Sequence, residues 1–314
     1  MFINIIKLIA GLIMLVASAD YLVKCSVKLA RMFALSTFFV GLILVAMGTS
    51  LPEATVSILA VLKGENALAL GNVVGSNIVN IGLVLGICGI LNPLTIPQTL
   101  FKREIPFMLG ATMALIVFSL NGIISRIEGM FLICFFIIFV YTSLKTSAQG
   151  HEENEFELKG ILAETKSKSL VFFLFSFSAA VLIAGANLMV SAGINIADML
   201  GVSPWIVAVT IFAIGTSLPE LAASVSASLK KVSAISVGNV IGSNIFNIVF
   251  VIGIVALIRP IEVSKSIIAF DLPILAAFTV MFYVFMRTRF KLTRIESAFM
   301  LLGYAGFIIA LIIK

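Results

Sequence analysis

Two copies of a six-residue string carry the residues most able to do chemistry: Gly48-Thr49-Ser50-Leu51-Pro52-Glu53 and Gly215-Thr216-Ser217-Leu218-Pro219-Glu220. Each sets a glycine, two hydroxyls, a proline and a carboxylate in the middle of a long apolar run. At lipid depth an ionisable side chain costs roughly 2.5 to 3.5 kcal/mol even on the lenient insertion scale, so it is a site candidate by default. Proline removes a backbone donor and glycine loosens the helix, which frees nearby carbonyls from their intrahelical partners. Two carboxylates, four hydroxyls and freed carbonyls make an oxygen-rich cage, and the chemistry of such a cage is cation binding.

A second string supports the first. Gly71-Asn72-Val73-Val74-Gly75-Ser76-Asn77-Ile78-Val79-Asn80-Ile81 matches Gly238-Asn239-Val240-Ile241-Gly242-Ser243-Asn244-Ile245-Phe246-Asn247-Ile248 at nine of eleven positions. The offset is 167 residues, the same that superposes Glu53 on Glu220, so the chain is an internal duplication. Asn72, Ser76 and Asn80 recur every four residues on one helix face, as do Asn239, Ser243 and Asn247. Gly71 with Gly75, and Gly238 with Gly242, are small-xxx-small pairs that let a second helix approach closely. Helix glue is an alternative role for the outer asparagines. It does not serve the glutamates, because two carboxylates buried together repel unless a cation sits between them.

The elements that must hold these residues follow from composition. Of 314 residues, 61% are hydrophobic and only 11% charged, with a mean hydropathy of +1.20. Repeated apolar stretches of this kind are spanning helices, and strand alternation is absent. Ten spans are expected, at about 3–29, 34–62, 67–91, 104–120, 125–145, 168–197, 201–229, 233–258, 266–286 and 294–313. The fold expected is an all-α integral membrane protein of ten transmembrane helices, two inverted five-helix repeats with helices 2 and 7 broken. The repeats occupy 1–145 and 168–314, joined by an acidic loop over 146–167. Ala17-Ser18-Ala19 resembles a signal-peptidase site, yet Lys7 stands late for a leader and the segment has a counterpart at Phe172 to Ala197, so it is read as a helix.

Charge sets orientation. With the N-terminus outside, fifteen lysines and arginines fall on inner loops and six (Lys7, Lys63, Arg126, Arg259, Lys265 and Lys314) outside. That bias puts both termini outside and the central loop in the cytoplasm. The net charge of +6 thus reports topology, and no nucleic acid is expected as a partner. Cys25, Cys88 and Cys134 lack paired spacing and read as packing residues. His151, the only histidine, reads as a solvated residue of the acidic loop. Asp20 is taken as the one other acid well inside a span, aligned with Asn187, with a helix-end or packing role.

Oxygen-only ligands argue against zinc and copper. Ca²⁺ accepts about 6–8 oxygens in flexible geometry, whereas Mg²⁺ holds to a strict octahedron and keeps water. Two carboxylates balance one Ca²⁺, and several Na⁺ ions could replace it in the same cage. The doubled and inverted strings resemble the α-repeats of the cation/calcium exchanger superfamily, most nearly the prokaryotic sodium/calcium exchangers, over essentially the whole chain.

That resemblance implies a plasma-membrane antiporter with one site chiefly for Ca²⁺ and others for Na⁺, exchanging three Na⁺ for one Ca²⁺. It implies that Glu53 and Glu220 bridge the sites and that Thr49 and Thr216 add oxygens to Ca²⁺. Ser50, Ser217, Ser76 and Ser243 would serve outlying Na⁺ positions with the carbonyls of Ala46 and Ala213, and Asn80 and Asn247 would line the centre. Some members carry aspartate where Asn247 stands, and in the potassium-dependent branch that acid is linked to K⁺ cotransport; asparagine argues against a K⁺ requirement here. Transport is expected by alternating access, the first and sixth spans sliding past a block made of 34–91 and 201–258, with no cofactor and as a monomer. H⁺/Ca²⁺ exchange and a passive cation channel are the rival readings. An enzyme is not expected, since no His-Glu-x-x-His or phosphate-loop string is present.

Overall fold

The computed structural model describes residues 1–96, 98–147, 158, 161–201 and 213–313. Helix α1 (Phe2–Phe33) is one unbroken rod, running through Ala17–Ala19 as a helix and burying Ser18 and Ala19. It stops where Ala34 turns left-handed and its N–H reaches back to the last turn. Ser36 then caps the next helix, its hydroxyl accepting from Phe39 N at 3.1 Å. That helix is the expected broken one: α2 (Thr37–Thr49) and α3 (Leu51–Leu62) meet at a 44° bend. Pro52 has no N–H to give the Gly48 carbonyl, so the ladder fails where the motif lies.

Helices α4 (Asn66–Leu91), α5 (Gln98–Ser119), α6 (Arg126–Ser147) and α7 (Lys168–Met199) follow. After a short turn at Ala213–Gly215 come α8 (Leu218–Leu229), α9 (Ser233–Ile258), α10 (Ile267–Arg289) and α11 (Arg294–Ile313). Seven of these helices are long and apolar enough to cross a bilayer, and the bent α2–α3 pair makes an eighth candidate. Helix α5 has the length but carries Lys102, Arg103 and Glu104 near its start. The first part of the seventh expected span, 202–212, lies outside the described residues, as do His151 and most of the 146–167 loop. Of that loop, Ile161–Glu164 form one helical turn, and Ala163 O accepts from Lys28 Nζ at 3.1 Å.

The duplication is visible in the elements. The 167-residue shift carries Leu51–Leu62 onto Leu218–Leu229, with the broken-helix residues Ser50 (φ −86°, ψ 8°) and Ser217 (φ −90°, ψ 6°) sharing one backbone conformation. It also carries strand β1 (Leu94–Thr95) onto β3 (Ile261–Glu262). Strand β1 pairs antiparallel with β4 (Lys291–Leu292), and β2 (Ile123–Ile124) pairs with β3. Each two-stranded pair thus joins a loop of one half to a loop of the other.

Helices α4 and α9 form the centre: 78% of each span is buried, against 22% for α6 and α11, whose remaining faces are left for lipid. Glycine makes the closest crossing possible. A methyl added to Gly242 would lie 1.8 Å from the Leu42 carbonyl oxygen, and one added to Gly238 would lie 2.6 Å from Phe38 O, so α2 and α9 touch backbone to backbone. For Gly71 and Gly75 no atom of the described residues lies within 4 Å; the segment that the repeat would set against them, 205–209, is outside the described residues.

Candidate cation-binding site

The two glutamates start the half-helices α3 and α8, each in the first turn, where the exposed N–H groups and the helix dipole favour negative charge. Both are wholly buried. The halves then exchange partners: Ser50 Oγ donates to Glu220 Oε1 at 2.7 Å, and Ser217 Oγ donates to Glu53 Oε1 at 3.4 Å. Thr216 lies against the Glu53 carboxylate, and Thr49 and Ser243 against that of Glu220. The two carboxylates also lie close enough to repel each other.

Four of the expected site residues need separate comment. Ser76 Oγ bonds Val73 O at 3.1 Å and accepts from Asn247 Nδ2 at 3.2 Å, which ties α4 to α9. Asn80 is buried at the start of an irregular turn, Asn80–Leu85, whose backbone winds as a π-helix. No hydrogen bond connects its side chain to the glutamates. The Ala46 carbonyl accepts both Ser50 N at 3.0 Å and Thr49 Oγ1 at 3.3 Å. In the second half Ser217 N donates to Ile214 O instead, so Ala213 is not held in the same way.

The outer asparagines act as positioning groups. Asn72 Nδ2 donates to the Glu53 carbonyl at 3.1 Å and to Ser57 Oγ at 3.0 Å. Asn239 Nδ2 repeats this with the Glu220 carbonyl (3.4 Å) and Ser224 Oγ (2.9 Å), while its Oδ1 accepts from Thr49 at 3.2 Å. Each therefore fixes a half-helix against its neighbour.

What remains unpaired is informative. Among the described residues Glu53 Oε2, Glu220 Oε2, Asn80 Oδ1, Asn244 Oδ1, Asn247 Oδ1 and Ser243 Oγ are buried with no hydrogen-bond partner, as are the amide nitrogens Asn77 Nδ2 and Asn80 Nδ2. No lysine or arginine lies within 4 Å of either glutamate among the described residues, where the ion pairs are Asp20 with Lys24 and Lys230, and Glu104 with Arg103. Buried polar atoms are normally satisfied, and buried charges are paired or hold metal. The unsatisfied atoms are mostly oxygens, a set that suits a cation. No cluster of three or more His, Cys, Asp or Glu occurs among the described residues, so neutral oxygens must supply most of the ligands.

Four features escaped sequence reasoning. Asn77 and Asn244 are also wholly buried beside the site, with Asn247 Nδ2 reaching Asn77 Oδ1 at 3.4 Å; their signal was membership of the duplicated string. The π-turns at Asn80–Leu85 and Phe246–Ile252 start at the site asparagines, as such turns often do at functional positions, and nothing in the residue types marks them. Glu104 is a third buried acid, held by Arg103 at 3.7 Å and Ser143 Oγ at 3.1 Å. Asp20, expected to be the only other acid well inside a span, is part-exposed, whereas Glu104, at the edge of the expected fourth span, is buried. Asp20 sits 2.5 Å from both Lys24 and Lys230, in keeping with a packing role.

A helical membrane body with an unpaired pair of carboxylates at its centre, one from each half, has the build of a cation transporter. The family described as sodium/calcium exchanger protein matches residues 3–145 and 170–313, and the chain belongs to it. The sodium/calcium exchanger MaX1 of Methanosarcina acetivorans is 30% identical over 98% of both chains. The inner membrane protein YrbG of Escherichia coli is 33% identical over 88% of this chain and 86% of its own. Among solved structures, the sodium-calcium exchanger NCX_Mj soaked with 10 mM Na⁺ and zero Ca²⁺ superposes with a TM-score of 0.86 at 30% identity, covering 98% of each chain.

Proposed function

We propose that this protein is a secondary antiporter that exchanges Na⁺ for Ca²⁺ across the cell membrane by alternating access, three Na⁺ per Ca²⁺ and electrogenically. The observation that carries the proposal is the crossed pair Ser50–Glu220 and Ser217–Glu53, with the second carboxylate oxygen of each glutamate left without a donor. One Ca²⁺ neutralises two carboxylates. Three Na⁺ would overbalance them by one charge, so each cycle would move net charge. A filled cage screens the glutamates from each other, and an empty one leaves them to repel in low dielectric. That difference couples the two fluxes.

The ligands are Glu53, Glu220, Thr49, Thr216, Ser50, Ser217, Ser76, Ser243, Asn80 and Asn247, with the Ala46 and Ala213 carbonyls. Ten spans in two inverted repeats, with both termini outside, complete the reading. Support for this topology comes from the loops that meet in pairs. The charge count puts 92–103 and 287–294 on the inner side, and they meet as β1–β4; it puts 120–125 and 259–266 on the outer side, and they meet as β2–β3.

The test uses purified protein in liposomes. An outward Na⁺ gradient should drive uptake of radiolabelled Ca²⁺, and E53Q or E220Q should abolish it. Full uptake in both variants would end the proposal. Uptake driven by a pH gradient in sodium-free buffer would replace Na⁺ with H⁺ as the coupling ion.

A further inference from the structure

The two halves of the molecule are not in the same state. Helix α1 packs along α8, whereas α7, its counterpart, makes scarcely any contact with α3, the counterpart of α8. Two cavities reflect this difference. One of about 400 Å³ lies between α3 and α7, lined by Pro52, Thr55, Val56, Ile183 and Asn187, and it reaches Gly215 and Thr216 of the site. The other, of about 370 Å³, lies between α1 and α8; its lining includes Val16, Asp20 and Ala222, the repeat mates of Ile183, Asn187 and Thr55, together with Leu221 and Lys230, and it reaches neither Gly48 nor Thr49. Thr216 is accordingly part-exposed while Thr49 is buried. Of these two cavities, only the one between α3 and α7 reaches the site among the described residues.

The closed side carries a link that the open side lacks. Asp20 of α1 holds Lys230, just past the end of α8, at 2.5 Å, and Lys24 of its own helix holds the carboxylate from the other flank at 2.5 Å. Lys230 Nζ also donates to Ser226 Oγ at 2.8 Å. The repeat places Asn187 where Asp20 stands and Lys63 where Lys230 stands. An amide there forms no ion pair, and no contact joins the two residues. Asp20 lies in a helix expected to slide, and Lys230 on the block it would slide past.

We propose that the Asp20–Lys230 ion pair is a one-sided latch. It holds α1 against α8, keeps the face bearing Lys24, Lys28 and Lys230 closed, and makes the transporter rest open on the opposite side because Asn187 provides no matching latch. By the positive-inside rule the latched face is cytoplasmic. The inference deepens the antiporter reading and rests on it for the meaning of the two faces. To let ions out on the basic face, α1 must leave α8 and break the pair.

The test compares two repeat-related reporters in protein whose three cysteines have been replaced. Val56→Cys lines the open cavity, and Ala223→Cys is buried beneath α1. In nanodiscs, where both faces meet solvent, a membrane-impermeant maleimide should label position 56 quickly and position 223 slowly. D20N and K230Q should each raise labelling at 223 and lower it at 56 by about threefold, the scale of a part-exposed ion pair. The double variant should do no more than either single one, since both remove the same interaction. N187D, which supplies the missing acid, should slow labelling at 56. Unchanged labelling in D20N and K230Q, additive effects in the double variant, or an unaffected N187D would each overturn the latch. Labelling needs no transport, so a protein that fails to exchange Na⁺ for Ca²⁺ still reports on the latch, and a failed latch leaves the E53Q and E220Q results standing.

Discussion

At the scale of single residues, the two carboxylates differ in how well they are held. The Ser50 hydroxyl meets Glu220 at 2.7 Å, and Ser217 meets Glu53 at 3.4 Å. A hydrogen bond to a charged group contributes about 1.5–3 kcal/mol. S50A should therefore lower apparent cation affinity by about tenfold, and S217A by less, as read by isothermal titration with Ca²⁺ on purified protein. Equal losses would mean that the two contacts tighten to the same length once an ion is bound. Asn72 and Asn239 reach backbone carbonyls instead, so alanine at either should reduce thermal stability more than it alters ion preference. Sequence reasoning could identify the glutamates because an unpaired acid at lipid depth is too costly to be incidental. It could not separate ligand from positioning group among the asparagines, because Asn72 and Asn80 have the same side chain and share a helix face. Only the positions of Glu53 O and Ser57 Oγ distinguish them.

Among the helices, the contact of α2 with α9 is set by absent side chains. Gly242 has no room for a methyl against Leu42 O, and the obstacle is backbone that cannot turn aside. G242A should cost about 1–3 kcal/mol, the usual range for overpacking, and lower the melting temperature in detergent. An unchanged melting temperature in G242A would contradict the crossing. The Gly-x-x-x-Gly spacing predicted both approaches, and the described residues contain one of them. The bend at Ser50 was equally legible, since a proline with a preceding glycine in an apolar run breaks the ladder in any surroundings. The π-turns that start at the site asparagines were not: an extra residue in a helical turn is chosen by what the helix packs against.

For the whole molecule, the proposed exchange of three Na⁺ for each Ca²⁺ would carry one net charge per cycle. An inside-negative potential, set by a K⁺ gradient with valinomycin, should slow Na⁺-driven Ca²⁺ uptake by an interior that must give up Na⁺, and an inside-positive one should speed it. Indifference to voltage would mean a neutral exchange. Sidedness has its own test. Cysteines at Lys63 and Lys230 should label from opposite sides of intact cells, Lys63 from outside. The two-strand pairs, which bring loops of both halves together at each end, give both expectations a structural frame.

The sequence by itself determined that the chain is a duplicated helical membrane protein with one costly carboxylate per half at lipid depth, because those conclusions depend on transfer costs and on an offset that any arrangement must respect. Tertiary structure alone decided which hydroxyl serves which glutamate, that the contacts run between halves, and that α1 packs along α8 while α7 stands away from α3. Those are relations between residues about 170 positions apart, and they follow from how two nearly equal halves settle against each other. A repeat read as sequence is symmetric, whereas a packed molecule must choose a side.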